Sequence, residues 1–596
     1  MKLICAAALV LVTSTFVNAQ TKGSPKRNKN KGDAELQQRR ATALSLLQAL
    51  AIEARSYSDE PLRARVQAQI ADAIWAHDED AARTLFRRAW EIAETLDQAS
   101  ADSSSPGRRP NTSGRSQSRS SLRREILSLA SRRDRALGEE FLAKLTPADN
   151  SDPKTTRELS STESTERLRL ANELLQTSDA ARALEFAAPA LTRVNTRAIE
   201  FLVTLRQKDA ATADRRFASL LTIAASDSNS DANTVSMLTS YAFTPSIYLI
   251  VSRGGIPSST GYPYRPAPEL PQQLRRAFFE VAAGILMRPL TQIDQSSAGR
   301  AGTHFIAMRL MPLFQQYAAD LVGPLNVQLT AFGPEAARTT ANWGEVTLRR
   351  GMGDAEATSN DAELSERLDR AKTADERDRA YAFAAMRLAE ETNIHAREMT
   401  EKIEDTETRK GVKTFVDYML IRSVIIQKRP DEALALIRKA ELPAVLRAHF
   451  LTQVVRLKLK DDPERATELL DEALTETRRL DQGTSDRAYS LIAMLHQFSV
   501  LDKTRAWELL SEVIKTANSV PDFTGDRGQS TLTLEGKFSV RLSVELASTT
   551  DLSESFSRLA EHNFYQALDV GKTFRGDAPR AISMIAVART VLVEQP

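Results

Sequence analysis

Six histidines, His77, His304, His395, His449, His496 and His562, are the side chains best suited to metal binding or proton transfer, and they fall one to a region. No HExxH, HxH or paired ExxH motif joins any two of them, so no metal site is predicted. The tightest spacing is Glu391, His395 and Glu398, which at i, i+4 and i+7 share one face of a helix. Two carboxylates and an imidazole so placed could hold a cation, but the same stripe is also the ordinary solvated side of a helix. Paired carboxylates at Asp78 and Asp80, and at Asp461 and Asp462, stand in polar turns ahead of apolar runs. There they serve as helix caps better than as an acid–base pair. GxSxG and Walker sequences are absent, and the Gly351–Gly353 pair follows Arg349 and Arg350 rather than a strand. The expectation is a protein with no catalytic residues, no cofactor and no metal.

One stretch carries recognition chemistry instead. In "SRGGIPSSTGYPYRPAPELP", residues 252–271, Tyr262, Tyr264 and Arg265 are flanked by Pro257, Pro263, Pro266 and Pro268. Prolines stiffen the segment, and aromatic rings with a guanidinium are frequent anchors of binding surfaces. These three residues are the expected partner-binding set; the alternative is that the tyrosines fold back over a gap in the packing. Trp75, Trp90 and Trp507 lie inside apolar helical patterns and are expected in the core.

The first residues, "MKLICAAALVLVTSTFVNAQ", place Lys2 before an apolar run and end in small residues. That is the pattern of a signal peptide over 1–19, cut after Ala19, and it implies an exported chain, periplasmic or extracellular. Cys5 is the single cysteine and lies in that segment, so the processed chain has no disulfide and must be held by burial. No later segment is apolar enough to span a membrane. A formal net charge of +2 with both signs mixed points away from nucleic acid. Basic residues concentrate in 20–34 and, with four arginines, in 103–121. Both stretches lack apolar residues and are expected to be disordered, in weak contact at most with an anionic envelope polymer.

The elements that must position any site follow a repeated pattern. Ala82, Leu85, Phe86 and Ala89 recur as Ala433, Leu436, Ile437 and Ala440, as Ala466, Leu469, Leu470 and Ala473, and as Ala506, Leu509, Leu510 and Val513. Each set falls at i, i+3, i+4 and i+7, one stripe of a helix, with small residues where a neighbouring helix must approach. The spacing from Ala433 to Ala466 is 33 residues and from Ala466 to Ala506 is 40. An amphipathic helix precedes every copy across a polar turn, and Pro430 and Pro463 start the second helix. A hairpin of this kind cannot cover its own apolar face and must stack on the next, which predicts an all-α solenoid. The Ala466, Leu470, Ala473 spacing resembles tetratricopeptide-like repeats of exported bacterial type. Phe450, Val454 and Leu457 stand where that family usually has Trp, Gly and Tyr. The resemblance implies a scaffold whose grooved surface binds a protein or peptide.

The expected organisation is helical repeats over 35–228 with a disordered insert at 100–121, a central helical segment over 229–350 and a linker at 351–362. Further repeats follow over 363–520. Over 521–596, "STLTLEGKFSVRLSVE" alternates Leu532, Leu534, Phe538, Val540, Leu542 and Val544 about Glu535-Gly536, which reads as a small β-hairpin. With the last helices it is expected to cap the open end of the stack. The function expected is an exported helical-repeat scaffold for a protein or peptide partner. Two alternatives are an envelope carbohydrate-active or hydrolytic enzyme assembled between distant helices, and an adhesin using the basic linkers.

Overall fold

A computed structural model describes residues 26–592 except 103–112, 146–160, 177–179, 244–246, 253–257, 262–268, 290–296, 342–359, 391–392, 522, 526–527, 535–539 and 548. The signal-peptide segment 1–19 lies outside the described residues. The chain is mostly helical, a solenoid of antiparallel helical hairpins with a small β-hairpin near its C-terminal end.

The N-terminal half contains α1 (Lys26–Glu53), α2 (Glu60–Ile74), α3 (Glu79–Asp102), α4 (Ser113–Arg133), α5 (Arg135–Leu145), α6 (Ser161–Gln176) and α7 (Ala180–Ala187). It continues with α8 (Thr196–Arg206), α9 (Ala210–Ser226), α10 (Ala232–Ala242), α11 (Gln272–Leu286), α12 (Gly299–Tyr317), α13 (Val322–Ala331) and α14 (Gly333–Ala341). Strands β1 (Ile247–Ile250) and β2 (Ser258–Gly261) pair antiparallel between α10 and α11. The C-terminal half contains α15 (Asn360–Arg370), α16 (Ala374–Glu390), α17 (Ala396–Glu401), α18 (Thr406–Ile426), α19 (Pro430–Lys439), α20 (Ala444–Lys458), α21 (Pro463–Arg478), α22 (Ser485–Leu501) and α23 (Lys503–Ala517). It closes with β3 (Gly528–Leu534), β4 (Val540–Ala547), α24 (Thr549–His562), α25 (Phe564–Gly571) and α26 (Asp577–Leu592).

The repeated stripes form the seams between helices, as their spacing requires. Ala82, Phe86 and Ala89 on α3, Ala466, Leu469, Leu470 and Ala473 on α21, and Ala506 and Val513 on α23 have no exposed surface. The small residues let α2 lie against α3 and α20 against α21. Three of the four second helices start on a capped turn: Asp78 Oδ1 accepts from the Ala81 amide at 3.0 Å, Asp462 Oδ1 from the Arg465 amide at 3.1 Å, and Asp502 Oδ1 from the Thr504 amide at 2.9 Å. Pro430 and Pro463 open α19 and α21, where a missing N–H costs nothing. Trp90 is fully buried and stacks on Phe141 with ring centroids 4.5 Å apart, joining α3 to α5.

The order of packing departs from a simple linear stack. Along one face the first helices of the hairpins adjoin in the series α12, α10, α8, α6, α4, α2, then α26, α24, α22, α20, α18, α16. Helix α26 packs on α1 and α2, so the two halves of the chain meet mid-stack. The sequence pattern predicts that 521–596 caps an open end, but α26 finds an apolar partner in the first helices instead, and among the described residues the stack's outer helices are α14 and α15. At this seam Arg40 Nε donates to the Val591 carbonyl at 3.0 Å, and His77 Nε2 lies 3.0 Å from the Leu592 carbonyl. The last carbonyls of α26, which have no partner within their own helix, are thereby satisfied. Arg580 adds an ion pair to Glu53 at 2.9 Å.

Three expected linkers are shorter than their composition implies. Helix α1 begins at Lys26, inside 20–34; α3 reaches Asp102 and α4 begins at Ser113, inside 100–121; and α15 begins at Asn360, inside 351–362. Helices α1 and α4 are anchored by packed stripes, Ala43, Leu47 and Leu50 on α1 and Leu122, Ile126 and Ala130 on α4. Once nucleated there, each extends back into the polar residues that precede its stripe.

Candidate functional site

The expected binding trio, Tyr262, Tyr264 and Arg265, and Glu391 of the spaced carboxylate–histidine set, lie outside the described residues. What the structure does describe of the 252–271 stretch includes a strand where a loop was expected: Ser258–Gly261 forms the β1–β2 ribbon, in which Ile250 pairs with Ser258 and Ile247 with Gly261. The buried Asn233 carboxamide clamps the strand's exit: its Nδ2 donates to the Val251 carbonyl and its Oδ1 accepts from the Val251 amide, both at 2.9 Å. Sequence reasoning found the loop but not the ribbon; the run "IYLIV" before Gly254 was the available signal. His395 is exposed and bonds Glu398 Oε1 at 3.0 Å, a surface contact. Among the described residues no group of three or more metal-ligating side chains comes together.

A site does form where sequence reasoning placed none. Helices α18, α20 and α22 stand side by side, and the β3–β4 hairpin packs on α22 and on α18. Leu542, Val544 and Leu546 are buried while Ser543 and Glu545 are exposed, the alternation of a half-buried strand. Between β4 and the helices lies a cleft of about 630 Å³, within the size range of small-ligand and peptide sites. One wall is Tyr418, Arg422, Ile425 and Ile426 of α18; α20 contributes His449, Phe450, Gln453 and Arg456; β4 contributes Ser543, Glu545, Leu546 and Ala547.

Helical periodicity puts these groups in line. Tyr418, Arg422 and Ile425, like His449, Gln453 and Arg456, fall at i, i+4 and i+7. Both stripes were present in the sequence. That they face one another under a hairpin more than 70 residues further on was not.

Burial and neighbouring charge set the protonation states. Desolvation pushes the His449 imidazole down to about 4, with the Arg456 guanidinium adding repulsion, so His449 is neutral near pH 7. Burial pushes the Tyr418 phenol up, against the pull of Arg422, and it stays a hydroxyl. The Tyr418 ring packs 5.3 Å from Phe450, and the His449 ring 5.4 Å from it. Arg456 is held at one end of the cleft by Asp551, 3.3 Å away in the first turn of α24, where the helix dipole favours a carboxylate. Behind it, burial lowers the pKa of His496 on α22 despite the nearby Asp551 and Glu554 carboxylates; its Nε2 is 3.6 Å from Glu554. Arg422 is exposed and has no ion-pair partner among the described residues. The cleft thus offers a cation, a neutral imidazole, a phenol and a carboxamide beside an apolar wall, a set suited to hydrogen-bonding a ligand's amides and a carboxylate.

No family model matches the sequence, and no curated protein matches it. Among solved structures, a chain described as "Circular tandem repeat protein with novel repeat topology and enhanced subunit contact surfaces" is similar at 13% identity over 89% of this chain and 90% of that one. Its TM-score is 0.14, a value too low to carry an argument. No helix among the described residues is long and apolar enough to cross a membrane. The helical-repeat fold rests on the packing described above.

Proposed function

We propose that this protein is an exported helical-repeat scaffold that binds a peptide or protein segment in the cleft between α18, α20 and β4. The observation that supports the reading is the composition of that cleft. Its polar groups, Tyr418, Arg422, His449 and Gln453, line one concavity and have no hydrogen-bond partner among the described residues. Polar groups held beside an apolar wall favour a ligand that is itself an alternation of amides and side chains. Catalysis is not proposed: no hydrogen bond links the Ser543 or Tyr418 hydroxyl to His449 among the described residues. Export rests on the pattern of residues 1–19, and the partner-binding role of Tyr262, Tyr264 and Arg265 on their residue types and spacing.

The test is selection from a random peptide library against the protein lacking residues 1–19, with Arg422→Glu and His449→Ala as counter-targets. Enrichment of a common motif that both variants lose supports the cleft. Enrichment that both variants retain moves the site elsewhere, and no enrichment removes the reading. Mass spectrometry of the protein from its native envelope fraction tests export, with a mature start at Gln20 expected.

A further inference from the structure

The cleft's β wall has a direction. Its lining includes Ser543, Glu545, Leu546 and Ala547 of β4, from both faces of that strand, and no residue of β3. A cavity lined by both faces of one strand runs along that strand's edge, not above or below its sheet. The sheet has two strands, so the β4 edge away from β3 has no strand partner among the described residues. An open edge is a row of free amide and carbonyl groups, which natural proteins leave accessible only where something pairs with it or where it is blunted by charge or proline. Here the edge opens on helix α20 and on the Arg422 guanidinium, inside a cleft.

We infer that the ligand is an extended peptide that adds to the open edge of β4 as a third strand, with an inward-facing carboxylate against Arg422. The inference rests on the proposed peptide-binding reading and specifies its occupant. Two features select that occupant. Backbone groups on β4 reward an extended chain, since a helix has none to spare. Side chains of an added strand alternate, so those on the inner face meet Arg422, His449 and Gln453, while those on the outer face lie beside Ser543 and Glu545. Inner positions then favour Glu or Asp and outer positions Thr, Ser or Lys, by cross-strand charge complementarity. Strand β4 is eight residues long, and a partner strand of about eight residues covers it.

The experiment measures fluorescence anisotropy with labelled eight-residue peptides of alternating Glu and Thr, their Lys and Thr counterparts, and a Glu–Thr peptide N-methylated on alternate residues. Expected is binding of the Glu–Thr peptide, a loss of at least about tenfold when N-methylation removes the four amide donors that face β4, and a preference reversed to Lys–Thr by Arg422→Glu. Circular dichroism of Arg422→Glu checks its fold; the residue is exposed, and the spectrum should be unchanged. Undiminished binding of the N-methylated peptide overturns strand addition. So does a doubled sedimentation mass without peptide, which gives the edge to a second copy of the chain. If library selection yields a cleft-dependent motif while all the alternating peptides fail, strand addition falls and peptide binding stands. If selection fails too, both fall.

Discussion

Arg589 donates to the Asp72 carboxylate at 2.7 Å, across 517 positions of sequence. The same carboxylate accepts from Arg133 Nε at 2.7 Å, and Arg589 also reaches the Gln69 carbonyl at 3.1 Å. One acidic side chain on α2 thus joins the first repeats to the last helix. Asp72→Ala leaves two arginines without their shared partner. Since both arginines are about one-third exposed, a cost of about 2 kcal/mol is expected, below the value for a fully buried pair. Urea denaturation checks it, and a change within about 0.5 kcal/mol assigns the seam to apolar packing alone.

Phe141→Ala removes the ring stacked on Trp90, in a position with no exposed surface. A loss of about 3–5 kcal/mol is expected for a large-to-small change in a packed interior. The emission of Trp90 should shift to the red as solvent enters. An unchanged midpoint with unchanged emission contradicts the packing described.

A Cβ built on Gly528 would lie 2.4 Å from the Tyr489 ring, closer than carbon atoms approach. Gly528→Ala therefore pushes the start of β3 away from α22, with an overpacking cost of about 1–3 kcal/mol. Amide exchange in β3 and β4 should speed up while exchange in α2 and α3 is unchanged. Uniform exchange across the chain contradicts a local effect.

His449 supplies a pH signature. Its folded-state pKa, near 4, lies below the ordinary histidine value, so on acidification the unfolded chain takes up the proton first. Its contribution is fully present above pH ~6.5 and is lost as the pH falls toward ~4, by up to ~1.4 kcal/mol per pH unit. Comparing His449→Gln with the wild-type protein between pH 7 and 4 isolates this term from the carboxylates. Parallel stability curves refute a neutral, desolvated His449.

Asn233→Ala leaves the Val251 amide and carbonyl, both bonded to this one side chain, without their partner. A cost of about 2 kcal/mol follows for two unsatisfied buried groups. Limited proteolysis should cut 252–271 sooner in the variant. Equal cleavage rates mean the ribbon holds without the clamp.

Local periodicity made the repeats legible. Ala466, Leu470 and Ala473 are buried as their spacing requires, and Leu542, Val544 and Leu546 alternate with exposed neighbours as a strand should. Contacts between distant parts left no such trace. Nothing in residues 60–74 announces that residues 577–592 will lie beside them, because each segment reads only as one more amphipathic helix. The cleft was half visible: His449, Gln453 and Arg456 formed a polar stripe, but its meaning depends on β4 arriving above it. Composition misled at 26–34 and 113–121, where charge implied disorder but an adjoining buried stripe anchors a helix.

Placing α26 against α1 and α2 fixes a timing for synthesis. The apolar faces of α1 and α2 leave the ribosome long before the α26 surface that covers them. Until α26 emerges, the nascent polypeptide carries an uncovered sticky flank, the kind of surface that holding chaperones bind.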